Sequence, residues 1–94
     1  MKANSASEVR EFQDIPNIGP AMAKDFILLG LKEPKDLKNK NPLNLYKRMC
    51  IVSGTRQDPC VLDIYIAAID FMNGAPARAW WSYTKKRKQE FPNI

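Results

Sequence analysis

The chain has no histidine, and only two cysteines, Cys50 and Cys60, among its 94 residues. Without imidazole there is no Ser-His or Cys-His pair to activate a nucleophile. A tetrahedral zinc site would need carboxylates to complete two thiolates, and two cysteines are too few for a disulfide framework. No apolar run approaches the roughly 18 to 20 residues that span a membrane. The start, MKANSASEVREF, carries no apolar stretch behind its lysine and does not read as a secretory signal. These absences lead to the expectation of a cytoplasmic protein with no metal, no cofactor and no membrane contact.

What is present is an ordinary apolar share of 45%, enough for one domain with a modest core. The formal net charge is +5. That balance suits a polyanionic partner, although many basic proteins have none.

Apolar residues recur at helical spacing throughout and no strand pattern is convincing, so the expected class is all-α: a compact bundle of about five short helices. Ser5 and Glu8 have the spacing of a capping box, with Val9 and Phe12 as the buried stripe of a first helix ending before Pro16. Pro20 suits the first position of the next helix, where its missing amide hydrogen is no loss. Ala23, Phe26, Ile27 and Leu29 are its inward face, and Gly30 ends it. A short third helix follows at EPKDLK. Asn41 and Asp58 are placed to cap the fourth and fifth, each with proline next, and the fourth buries Leu43, Tyr46, Met49 and Cys50. The fifth is apolar around much of its circumference and belongs at the centre. Residues 1–7 read as a flexible start, 8–84 as the domain and 85–94 as a basic tail, with Lys85 to Lys88 solvated. A weak internal echo pairs residues 8–29 with 42–72.

The stretch DIPNIGPAMAKDF concentrates backbone punctuation between two apolar runs. A turn entering a helix leaves its first amides unpaired, backed by the positive end of the helix dipole, and such a nest suits a phosphate oxygen. The donors would be the amides of Ile18, Gly19, Ala21 and Met22, with Lys24 adding a screened charge. The same geometry also serves as a plain packing turn. Ile15, Pro16, Ile18, Gly19, Ala21 and Ala23 make the stretch resemble the helix-hairpin-helix motif. Asn17 stands where the motif has its first glycine, and asparagine tolerates the positive φ required there. Pro20 is a second departure, removing one donor.

The resemblance extends over residues 10–84, through IPNIGPAMAKDFILLGL, LYKRMC, SGTRQDPCVLDIYIAAI and ARAWW, to a small bacterial family of pathogenicity locus or mitomycin resistance proteins. It implies two tandem helix-hairpin-helix units around a connector helix, the second degenerate. In that second turn, SGTRQDPC, the Asp58 carboxylate competes with phosphate for the helix amides, and Arg56 compensates only by a bidentate contact.

Other chemistry-bearing residues have simpler readings. Cys60, in the first turn of its helix, is placed either for a lowered thiol pKa or for plain burial. Trp80 and Trp81 either stack on bases or cover the open end of the bundle. Asp36 follows the hairpin in the order seen in helix-hairpin-helix glycosylases, but the chain is too short for their second domain and base pocket. The expectation is a non-enzymatic, sequence-independent binder of double-stranded DNA, gripping phosphates through Ile18, Gly19, Ala21, Met22, Lys24 and Arg56. The alternative is a protein-interaction module docking through Trp80, Trp81 and Phe91.

Overall fold

The computed structural model describes residues 2–94, and Met1 lies outside them. Among the described residues there are four α-helices, α1 (Pro20–Leu28), α2 (Pro42–Ser53), α3 (Pro59–Met72) and α4 (Thr84–Glu90). Four short 3-10 turns join them, at Ala6–Glu8, Phe12–Asp14, Pro34–Leu37 and Trp80–Tyr83, and there is no strand. The all-α expectation holds.

The architecture follows from α3. Leu62, Tyr65, Ile66, Ala68, Ile69 and Met72 bury one broad face, and Ala67 and Phe71 bury most of the rest. Around it pack α2, α4 and the turns at Pro34–Leu37 and Trp80–Tyr83. Phe26 of α1 bridges Phe12 and Tyr65, with ring centroids 5.3 and 5.4 Å apart. Each such buried apolar side chain contributes about 1.5–3 kcal/mol. Each of the first three helices ends on a positive-φ glycine (Gly30, Gly54, Gly74). At the end of α1 the Leu31 amide returns to Phe26 O and the Gly30 amide to Ile27 O, which closes the last turn.

The first expected helix is absent. Ser5 and Glu8 do meet, the Glu8 amide donating to Ser5 O at 3.1 Å and Ser5 Oγ to Glu8 Oε2 at 3.2 Å, but only as one 3-10 turn. The chain makes two separate 3-10 turns with extended backbone at Val9 and Glu11. Asp14 is the reason: its Oδ2 accepts from the amides of Arg10 (3.0 Å) and Glu11 (2.9 Å), starting a new turn where a helix would have continued. Because no helical face lies beside α1 there, Ile27, expected inside, is exposed beside a cleft shared with Phe12 and Pro34.

The same device occurs again 22 positions later. Asp36 Oδ2 accepts from the amides of Lys32 (2.9 Å) and Glu33 (3.1 Å). Ile15 and Leu37 follow, both fully buried. Asn17 and Asn39 follow those at φ 73° and 61°. The Ile18 and Lys40 amides close the matching turns on Ile15 O and Leu37 O, and Pro20 and Pro42 open α1 and α2. An internal repeat therefore pairs residues 10–20 with 32–42. Of the expected echo, 42–72 does run helix, left-handed Gly54 and proline-initiated helix, while 8–29 lacks its first helix.

The C-terminal run is not a solvated tail. Arg87 is buried on α4, its Nε 2.8 Å from Oδ1 of buried Asp63, while Thr84 Oγ1 donates to Asp63 Oδ2 at 2.7 Å. Lys85, Lys86 and Lys88 remain outside. The start of the chain is also tied down: the Ala3 amide reaches Asp14 O at 2.8 Å, and Lys2 Nζ donates to the carbonyls of Gln13 and Ile18.

Two outcomes follow from these contacts. Arg87→Ala strands the Asp63 carboxylate beneath α4 and is expected to cost on the order of 3 kcal/mol in urea denaturation. The paired change Asp63→Leu with Arg87→Met, which removes both charges, is expected to recover most of that loss. Asp14 and Asp36 are held below the ordinary carboxylate value, chiefly by the Glu11 and Lys32 amides respectively. Their contribution is complete above the unfolded value of about 3.9 and is lost as pH falls through the lower folded values. Thermal unfolding midpoints should fall with pH in that acid window. The fall should be shallower in the Asp14→Asn, Asp36→Asn double variant, which keeps an acceptor oxygen without the titration.

Candidate nucleic-acid interface

The hairpin forms because Pro16 presets the first corner of a turn and Asn17 takes the left-handed second corner. Ile15 and Ile18 on either side are fully buried and pin the turn to the core. The Asn17 side chain does a second job: Nδ2 donates to Arg78 O at 2.8 Å, lashing the turn to the segment that leads into Trp80. Gly19 then serves as N-cap of α1 with extended backbone, φ −96° and ψ −172°.

At this N-terminus the amides of Gly19, Ala21 and Met22 have no partner among the described residues. The space where a Gly19 side chain would sit is open to 4 Å. The other two long helices differ. Asn41 Oδ1 accepts from the Asn44 amide at 3.2 Å at the start of α2, and Asp58 Oδ1 accepts from the Cys60 amide at 2.9 Å at the start of α3. That contact also holds Asp58 below the usual carboxylate range. Both of those starts supply their own acceptor, whereas Gly19 has no side chain with which to do so.

The expected site residues divide on this geometry. Gly19, Ala21 and Met22 stand together, and Lys24 is exposed one turn further along α1. Ile18 is corrected: its amide is spent on Ile15 O at 3.1 Å, and its side chain is sealed in the core as a plug. Arg56 stands apart from these: it projects, exposed, from the α2–α3 loop beside the Tyr46 hydroxyl, which donates to Gln57 O at 2.5 Å, and it makes no hydrogen bond to the hairpin among the described residues. Two residues missed in the sequence lie against the hairpin. Lys2 sits on the Ile18 carbonyl, and exposed Arg78 is fastened by its main chain to Asn17. Lysine two residues into an irregular segment carries no motif, and Arg78 lies 61 positions from its partner.

The remaining candidates also resolve. The Cys60 thiol is pushed up, first by burial and then by its hydrogen bond with Asp58, so the helix start does not make it a reactive thiolate. Trp80 packs on the core and meets Trp81 edge to face at 5.8 Å, while Trp81 is 65% exposed. Phe91 packs on the core too. No three His, Cys, Asp or Glu side chains among the described residues gather into a metal-binding group, and no helix there is long and apolar enough to cross a membrane.

Comparison with known proteins adds sequence relatives and no solved structure, since none matches the chain. The mitomycin resistance protein McrB of Streptomyces lavendulae is 38% identical over 85 residues, which cover 90% of this chain and 81% of that protein. The Cdd1 family model, described as pathogenicity locus, matches residues 5–89. That span takes in the hairpin, both Asp-capped turns and the Asp63–Arg87 latch, and the chain belongs to the pathogenicity locus family.

Proposed function

We propose that the protein binds double-stranded DNA without regard to sequence, holding backbone phosphates on the amides of Gly19, Ala21 and Met22. The observation that carries this reading is the uncapped start of α1, whose donors await an acceptor where α2 and α3 have supplied their own. Support comes from the basic residues near the turn: Lys24 is exposed on α1, Arg78 is exposed with its carbonyl held by Asn17, and the Lys2 ammonium rests on the Gln13 and Ile18 carbonyls. The turn Ile15–Pro16–Asn17–Ile18–Gly19 has the sequence of a helix-hairpin-helix turn, with Asn17 in the left-handed conformation that the motif asks of its first glycine, and a 3-10 turn stands where the motif's first helix would be. Main-chain amides at a helix start suit phosphate oxygens and carry no information about bases, so contact with the duplex rests on phosphate. With about three phosphates neutralised, log K should fall against log salt with a slope of roughly −2 to −3. The role is binding and not catalysis.

A second reading, docking of a protein partner, draws support from a surface other than the expected one. Leu28, Ile51 and Val52 are exposed near the C-terminal ends of α1 and α2, where Arg48 Nη2 donates to Leu29 O at 2.6 Å. The group expected around the tryptophans offers only Trp81.

The two readings separate on Gly19→Asp, measured by anisotropy titration against a fluorescent duplex. The backbone at Gly19 is open to any residue and a Cβ meets nothing within 4 Å, so the fold should persist. The new carboxylate would cap α1 itself, with stability unchanged or raised by about a few tenths of a kcal/mol. Duplex affinity should fall at least about tenfold, because the amides are taken and the local charge is reversed. Equal binding by the two forms would remove the hairpin from the interface. Arg56→Ala should leave affinity nearly unchanged.

A further inference from the structure

We propose that the cleft between the N-terminal segment, the Pro34–Leu37 turn and the end of α3 binds a small phosphate monoester with a flat apolar body. The cleft has a volume of about 390 Å³, within the range of small-molecule sites. Val9, Pro34 and Met72 give it an apolar wall, with Pro34 and Met72 themselves buried. Arg10, Lys35 and Lys38 stand along it, with Glu33 as the one carboxylate of the lining.

The charges do not cancel. Glu33 Oε1 lies 3.6 Å from Lys35 Nζ, and those two balance each other. Arg10 and Lys38 have no carboxylate within ion-pair distance among the described residues. Two uncompensated cations beside an apolar wall match a dianion attached to an apolar group. The planar guanidinium of Arg10 suits two phosphate oxygens at once, and the Lys38 ammonium supplies a point charge. The Ser7 hydroxyl, also in the lining, is already hydrogen-bonded to Ser5 Oγ at 3.0 Å, so recognition rests on the two cations.

The negative end of α3 borders the cleft, where the carbonyls of Ile69, Asp70 and Phe71 are already engaged. Gly74 N takes Phe71 O and Ala75 N takes Asp70 O, while Asn73 Oδ1 accepts from the Asn39 amide. An adjoining cleft of about 310 Å³ shares Arg10, Glu33 and Pro34 and adds one charge of each sign, Lys32 and Glu11, so it brings no further excess of cations. None of the proposed ligand's contacts is a residue of the uncapped α1 start, so the two sites stand or fall separately.

The test is a heteronuclear NMR titration at pH 7.5 with phenyl phosphate, and with inorganic phosphate and phenol as its two halves. Phenyl phosphate should bind at least about tenfold more tightly than either half, through combined charge and apolar contact. Its shifts should cluster at Ser7, Arg10, Lys38 and Asn73. Arg10→Ala with Lys38→Ala, both exposed positions, should weaken binding about tenfold while leaving the melting temperature unchanged. Val9→Phe should fill the cleft and weaken phenyl phosphate without affecting inorganic phosphate. Gly19→Asp should bind phenyl phosphate like the wild type even if it has lost DNA. Inorganic phosphate binding as tightly as phenyl phosphate, shifts centred on Gly19 to Met22, indifference to the double alanine change, or displacement by duplex DNA would each overturn the proposal.

Discussion

A chain cut into short helices has many helix ends, and every end leaves backbone amides or carbonyls that need a partner. This requirement organises the molecule. The longest helix has 14 residues, so end groups form a large part of the backbone inventory. Asp14, Asp36, Asn41 and Asp58 each turn a side-chain oxygen back onto main-chain amides, and the glycines close the opposite ends. Among the three longer helices the start of α1 is the exception, made by a single residue, Gly19, which has no side-chain atom to offer. An unfilled donor set is unfavourable when dry and harmless when wet, which is why it sits at the surface beside exposed Pro20 and Ala21.

The second organising contact is the Asp63–Arg87 pair. A carboxylate in the middle of the most apolar helix would be a defect without its cation, and α4 exists as a docked element because Arg87 and Thr84 satisfy both oxygens. α4 itself has seven residues, too few for helical stability in isolation. The buried arginine thus converts a basic segment into a positioned one, with Lys85, Lys86 and Lys88 held on the outer side of the bundle.

Much of this was legible in one dimension. Proline at the first helical position and glycine after the last turn marked α1, α2 and α3 nearly to the residue, with Asn41 and Asp58 as added markers for the last two, because these signals act within a few bonds. The central place of α3 was legible from its apolar circumference. Asp14 and Asp36 were not: Ser5 and Glu8 offered a familiar capping pattern, while the Glu-x-x-Asp device that breaks the chain into 3-10 turns is readable only once both copies are aligned. Ile27 was misplaced for the same reason, its expected neighbour being a helix that does not form. Asp63 reads as a polar interruption of an apolar helix, and its partner lies 24 residues on. Within the candidate site, Gly19, Ala21, Met22 and Lys24 were local and therefore visible. The involvement of Lys2 and Arg78 was not, because long-range hydrogen bonds to carbonyls leave no spacing rule behind.

The tether from Asn17 to the Arg78 carbonyl has a consequence for how separable the hairpin is. The loop's shape is underwritten by a segment that follows α3, 61 positions away in the chain. A peptide excised around residues 14–28 would keep the letters of the motif and lose one of its anchors, along with the buried seats of Ile15 and Ile18. The turn is accordingly a property of the completed globule and not a portable cassette, and grafting it onto another scaffold would require carrying across the surface on which it rests.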